Sequence, residues 1–208
     1  MSKIWLKSYT PEIESLVETY YYKAFRRKVT RCVDSIILLP KTDFWAKCRE
    51  AGFQSPVHDI FAFLDNNNNW SSLSYRIYCK FGWFDNIVED IGHELFHRYL
   101  YQQEEEGKLN PRRREIYVIN EAFAHLGSWY FHDQLYNDET LREKYSVQEF
   151  NTSLPKAKEH RRAYNLTNKL VEKFYPRYFT PVKRLLLEAT MDEIAEVSGL
   201  PKRKFRKK

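Results

Sequence analysis

An α+β fold is predicted for this chain, with a small mixed or antiparallel sheet in the first half, one chemically loaded helix, and a mainly helical C-terminal half. Three observations carry that expectation. Leu73, Tyr75, Ile77, Cys79 and Phe81 alternate with Ser72, Ser74, Arg76, Tyr78 and Lys80, the period of two of a half-exposed antiparallel strand. Ile87, Ile91, Leu95 and Tyr99 form one helical stripe, with His93 and His97 on another. Beyond Asn110 the apolar residues recur at steps of three and four to the end of the chain.

The elements follow in order. Thr10 as N-cap, Pro11 at the first helical position and the acids Glu12 and Glu14 predict a helix carrying Ile13, Leu16, Val17, Tyr20, Tyr21 and Ala24. Ser35 to Leu39, stopped by Pro40, reads as a buried strand, and Phe44 to Ala51 as a short helix ended by Gly52. Val57 to Leu64 is read as a strand. The four asparagines Asn66 to Asn69 mark a turn, because Asn competes with regular structure through its own side-chain hydrogen bonds, and a hairpin is expected there. Asn86 and Glu89 have the spacing of a capping box that opens the next helix, which runs to about Glu104 to Gly107. Asn110-Pro111 then begins a helix with Val118, Ala122, Leu126 and Trp129 that reaches about Tyr136. Helices are expected over Glu139 to Phe150, over Lys156 to Phe174, and from Thr180-Pro181 through Leu185, Leu186 and Leu187.

Composition narrows the class. Aromatics make up 16% of the 208 residues and only 6 are Gly, which describes an ordered globular chain. The longest aliphatic run, Ile36 to Leu39, is too short to cross a membrane, and Met1 to Thr10 lacks an apolar signal core, so a cytoplasmic protein without membrane contact is expected. Cys32, Cys48 and Cys79 form no CxxC, which argues against a disulfide framework and against a Cys-type zinc finger. Any bound metal would use His and carboxylate. The net charge of +6 belongs to the tail, where Lys202, Arg203, Lys204, Arg206, Lys207 and Lys208 fall within the last seven residues.

The chemistry concentrates in Asp90 to Tyr99, where His93, Glu94 and His97 make H-E-x-x-H. Residues four apart lie about 40° from eclipsed on a helix, so the two imidazoles can hold one ion while Glu94, one step round, can take a proton from its water. This composition yields roughly 0.015 such patterns per chain by chance. A third ligand is needed, and Glu121, His125, His132 and His160 are the candidates. Glu121 follows His97 by 24 residues on the next helix, within reach of a helix hairpin, and its carboxylate suits Zn²⁺. His125, one turn later, is an alternative ligand or an orienting residue, whereas His58 and His132 are expected to pack or meet solvent. His160 is in phase with Ala163 and Tyr164 on the inward face of its helix, so either His160 or Tyr164 is a candidate donor to a developing oxyanion.

His93, Glu94 and His97, followed by Asn120 and Glu121, resemble the gluzincin metallopeptidases, in which an H-E-x-x-H helix precedes a helix supplying a glutamate from an N-E-x-x motif. The order of elements from Thr10 to Tyr136 is similar to that of a zincin, and the chain's size to that of the minimal gluzincins. The resemblance implies a zincin-like fold, a metal site of His93, His97 and Glu121, and hydrolysis of peptide bonds with Glu94 as general base. It also implies that Leu73 to Phe81 is an edge strand able to pair with extended substrate. Ala124 and His125 stand where larger gluzincins carry Ser-Asp, so another group must orient the zinc histidine.

Residues 1–190 are read as the metallopeptidase domain and 191–208 as a basic helical tail. Met191 to Gly199 looks like the first helix and turn of a helix-turn-helix or helix-hairpin-helix, which would allow weak nucleic-acid contact through the tail. The competing reading is a nucleic-acid-associated or regulatory binding protein with a structural or degenerate metal site. Glu94-Leu-Phe-His97 also fits the E-x-x-H of a di-iron bundle, but no second copy occurs.

Overall fold

The computed structural model describes residues 4–28, 35–50, 60–64, 75–80, 84–109, 117–149 and 158–201. In chain order the elements are α1 (Ile4–Phe25), β1 (Ser35–Leu39), α2 (Lys41–Glu50), β2 (Ile60–Leu64), β3 (Tyr75–Lys80), α3 (Phe84–Glu105), α4 (Tyr117–Tyr136), α5 (Glu139–Tyr145), α6 (Lys158–Phe174), α7 (Phe179–Glu188) and α8 (Met191–Ser198). The asparagine turn at Asn66 to Asn69, the start at Asn110-Pro111 and the basic residues from Lys202 onward lie outside the described residues.

The α+β class is corrected: the chain is mainly helical. The described helices include three of 20 or 22 residues, against strands of five, five and six. The core is likewise built by helices. Ile87, Val88, Ile91, Leu95 and Phe96 of α3 meet Val118, Ala122, Phe123, Leu126 and Phe131 of α4, and Ile13, Val17 and Tyr21 of α1 close one side. Leu166, Leu170 and Val171 of α6, Val182 and Leu186 of α7, and Ile194 of α8 close the other. Each Val, Leu, Ile or Phe side chain among them contributes ~1.5–3 kcal/mol by leaving water. Sequence periodicity placed most of these elements, but strands this short cannot define the fold class when the buried surface belongs to helices.

The small sheet has the order β1-β3-β2, with β1 parallel to β3 and β2 antiparallel to it. β3 is therefore the central strand and not an edge, a second correction. Alternation reports which side chains are buried, here Ile77 and Cys79, and carries no information about whether the backbone's two hydrogen-bonding sides are occupied. Both are occupied, so the described part of the expected substrate strand is unavailable for pairing with an extended peptide.

Several boundaries also move, α2 among them, which begins at Lys41 and not at Phe44. α1 begins at Ile4, leaving Pro11 inside it: a Thr-Pro-acid sequence marks where a helix can start but does not stop one arriving from upstream. α3 opens at Phe84, and Glu89 reaches across to His132 instead of closing a capping box. α5 stops at Tyr145, where Ser146 takes a left-handed conformation. At the C-terminus, Thr190 and Glu193 form a capping box for α8, and Gly199 caps its end at φ 66°. This helix joins the main core through Ile194, and Lys173 donates to the Val197 carbonyl at 3.0 Å.

α3 and α4 run antiparallel, since His97 meets Asn120 while the Glu89 carbonyl accepts from Ser128. Their backbones touch at a pair of glycines. A Cβ on Gly127 would stand 2.4 Å from the Gly92 carbonyl oxygen and 2.7 Å from the Phe96 ring; one on Gly92 would stand 2.8 Å from Phe131 and 2.9 Å from the Gly127 oxygen. Neither side can yield without moving a helix backbone. Gly127→Ala is therefore expected to lower stability by about 1–3 kcal/mol, because overpacking outweighs the ~1 kcal/mol gain in helix propensity. Urea denaturation checks the sign, and a stabilised variant would refute the close approach.

Candidate metal centre

The glycine contact sets the geometry of the site. His93 follows Gly92 directly, His97 lies about 7.5 Å further along α3, and Glu121 lies about 9 Å back along the antiparallel α4 from Gly127, toward the same end. The two helices thus bring His93, His97 and Glu121 together, with candidate ligand atoms within 4.8 Å of one another. His93 Nε2 is 3.2 Å from His97 Nε2, His97 Nε2 is 3.5 Å from Glu121 Oε1, and His93 Nε2 is 3.6 Å from Glu121 Oε2. A tetrahedron with metal bonds of about 2.05 Å has edges of about 3.3 Å. The donor set fits a zinc ion by that measure.

Asn120 supplies the orienting group that the sequence left unassigned. Its Oδ1 lies 2.7 Å from His97 Nδ1, so that nitrogen donates and Nε2 is left with its lone pair toward the centre. Burial, then the neighbouring His93, pushes the His97 pKa down to about 4, which keeps the ring neutral, as a ligand must be. Burial also works against the charged form of His93, but the Glu121 carboxylate more than offsets it and raises His93 above the ordinary imidazole value. Glu121 is almost fully buried; burial alone would raise its pKa, yet His160 and His93 hold it well below the carboxylate range. Glu94 is half-buried, and with Asp90 it contributes negative potential at His93.

The remaining site residues lie around Glu121. His160 Nδ1 is 3.2 Å from Glu121 Oε2, and its Nε2 is 3.2 Å from the Tyr117 hydroxyl, so both of its ring nitrogens face partners. Tyr164 is buried, with its ring edge-on to His125 at 5.2 Å and its hydroxyl bonded to Asn168. These contacts turn His160 toward Glu121 and Tyr164 toward His125. Tyr117 was missed, although a signal existed: Tyr117, Glu121 and His125 are each four apart on α4 and share one face. His132, expected only to pack or meet solvent, is buried with Nδ1 2.6 Å from Glu89 Oε1. Burial, partly offset by His132, raises the Glu89 pKa.

No described helix is long and apolar enough to cross a membrane. Comparison with protein-family models, with curated proteins and with solved structures finds no match for this chain.

Proposed function

We propose that this chain is a zinc-dependent hydrolase acting on peptide bonds, with His93, His97 and Glu121 as the metal ligands and Glu94 as the general base. The observation that carries the reading is the convergence of two imidazole nitrogens 3.2 Å apart on one carboxylate, whose oxygens lie 3.5 Å from His97 (Oε1) and 3.6 Å from His93 (Oε2), separations near the edge of a zinc tetrahedron. When bound, zinc supplies a Lewis acid for the scissile carbonyl and lowers the pKa of its water to about 7. Glu94, one residue along from His93, would serve as the base that accepts a proton from the attacking water and passes it to the leaving amine. Asn120 fixes the His97 tautomer, and His160 and Tyr117 hold Glu121 in position. The peptide bond as substrate rests on the likeness of His93-Glu94-x-x-His97 and Asn120-Glu121 to the gluzincin motifs.

The test joins metal content to turnover. The purified full-length chain is expected to bind zinc and to cleave members of a peptide library, losing cleavage with a chelator and regaining it on zinc addition. Absence of bound zinc would overturn the reading. A finer expectation concerns Asn120→Ala, which leaves the three ligands intact but releases the His97 ring. Zinc affinity should fall by about 10–100-fold in a chelator competition, and an unchanged affinity would remove Asn120 from the site.

A further inference from the structure

The donors around Glu121 do not end with the first three. Glu121, His125 and His160 form a second group of candidate ligand atoms that also lie within 4.8 Å of one another. His160 Nδ1 and Glu121 Oε2 are separated by 3.2 Å, again close to the edge of about 3.3 Å expected for a zinc tetrahedron. His125 Nε2 is buried and makes no hydrogen bond in this structure, which is uncommon for a ring nitrogen among helices. The His125 ring stands edge-on to those of His93 at 4.9 Å and His160 at 6.3 Å, so it belongs to the same cluster and not to a separate pocket. Glu121 faces both groups: Oε1 approaches His97, while Oε2 approaches His93 and His160.

We infer that the chain has a second divalent-cation position, formed by His125 and His160 with Glu121 as the carboxylate shared with the His93 and His97 position. The inference rests on the zinc reading above and extends it from one ion to two. Each position then has two imidazoles from the chain and shares the Glu121 carboxylate, whose Oε2 faces both His93 and His160. Tyr117 accepts from His160 Nε2 when Nδ1 turns its lone pair to a cation, so the hydroxyl orients this ligand as Asn120 orients His97. Paired cations are a recurrent device of hydrolases, one polarising the substrate oxygen and the other helping to present the attacking water. Asp90 and Glu94 add negative potential beside the cluster, which favours the extra positive charge.

The test counts zinc on the full chain after metal stripping, by calorimetric titration and by elemental analysis after dialysis. The parent is expected to take up about two equivalents, and His125→Gln and His160→Gln about one each. Circular dichroism checks the fold of both variants, and either alone is sufficient if the other does not fold. One equivalent in the parent, lost in His93→Gln, would overturn the second position and leave the single-zinc reading standing. Two equivalents retained in both His125→Gln and His160→Gln would also overturn it, by placing the extra ion elsewhere. No uptake by the parent would overturn both.

Discussion

Replacing Glu94 by Gln is expected to lower peptide hydrolysis by about 10²–10⁴-fold while zinc stays bound, because general-base catalysis is worth that much and Gln keeps the shape of the side chain without its basicity. Glu94 is no member of the ligand triangle, so metal content should match the parent. Its side chain is half-buried at a helix position one step from His93. The thermal midpoint should accordingly move little. The measurement is kcat/KM on a cleaved library peptide, with bound zinc determined on the same sample. Equal turnover in Glu94→Gln and parent would remove Glu94 as the base. A loss of zinc along with activity would instead make it part of the metal's support.

Glu121→Ala should have the larger effect on the site itself. Disturbing a group that merely orients a ligand costs about 10–100-fold in metal affinity, so removing a ligand should cost at least about 100-fold. A second readout needs no metal. In the parent, burial opposes the imidazolium form of His93 and the Glu121 carboxylate overcomes it, placing the pKa above the ordinary 6.5. Without the carboxylate, burial is opposed only by the nearby charges of Glu94 and Asp90, so the His93 pKa should fall. Proton NMR titration of the metal-free variant reads this directly. A His93 pKa unchanged in Glu121→Ala would mean that Glu121 does not face it.

The substrate strand shows most clearly how far side-chain patterning reaches. The alternation around Ile77 and Cys79 correctly marks one face as buried. Occupancy of a strand's backbone hydrogen bonds leaves no trace in its side chains, so β3 was read as an edge although β1 and β2 flank it. A peptide substrate must therefore be held by something other than the described part of β3. The site shows the reverse case. The spacing of His93 and His97 is local, and their separation of four positions on a single helix dictates it. Their meeting with Glu121 is not local, and depends on how closely two helices can approach.

Much of the fold could be read because it is helical and amphipathic. Val17 with Tyr20 and Tyr21, Ile91 with Leu95, and Leu166 with Leu170 are buried at the steps of three and four that the sequence displays. The fold class was misjudged because periodicity locates elements without weighing them, and two or three short strands look as prominent in sequence as a 22-residue helix that carries far more of the core.

By itself, then, the sequence determined the helix of His93, Glu94 and His97, the candidate ligand Glu121, and the inward face of His160. The first and last follow from intervals within one helix, where covalent geometry fixes direction, and Glu121 from the length of a helix hairpin and its Asn-Glu motif. Only the tertiary structure decided that Gly92 and Gly127 allow α3 and α4 to touch, that Asn120 holds His97, and that His160 joins Glu121 and His125. Those relations join residues 23 to 43 positions apart, and they depend on backbone separation and helix rotation, which packing sets and a linear pattern does not encode.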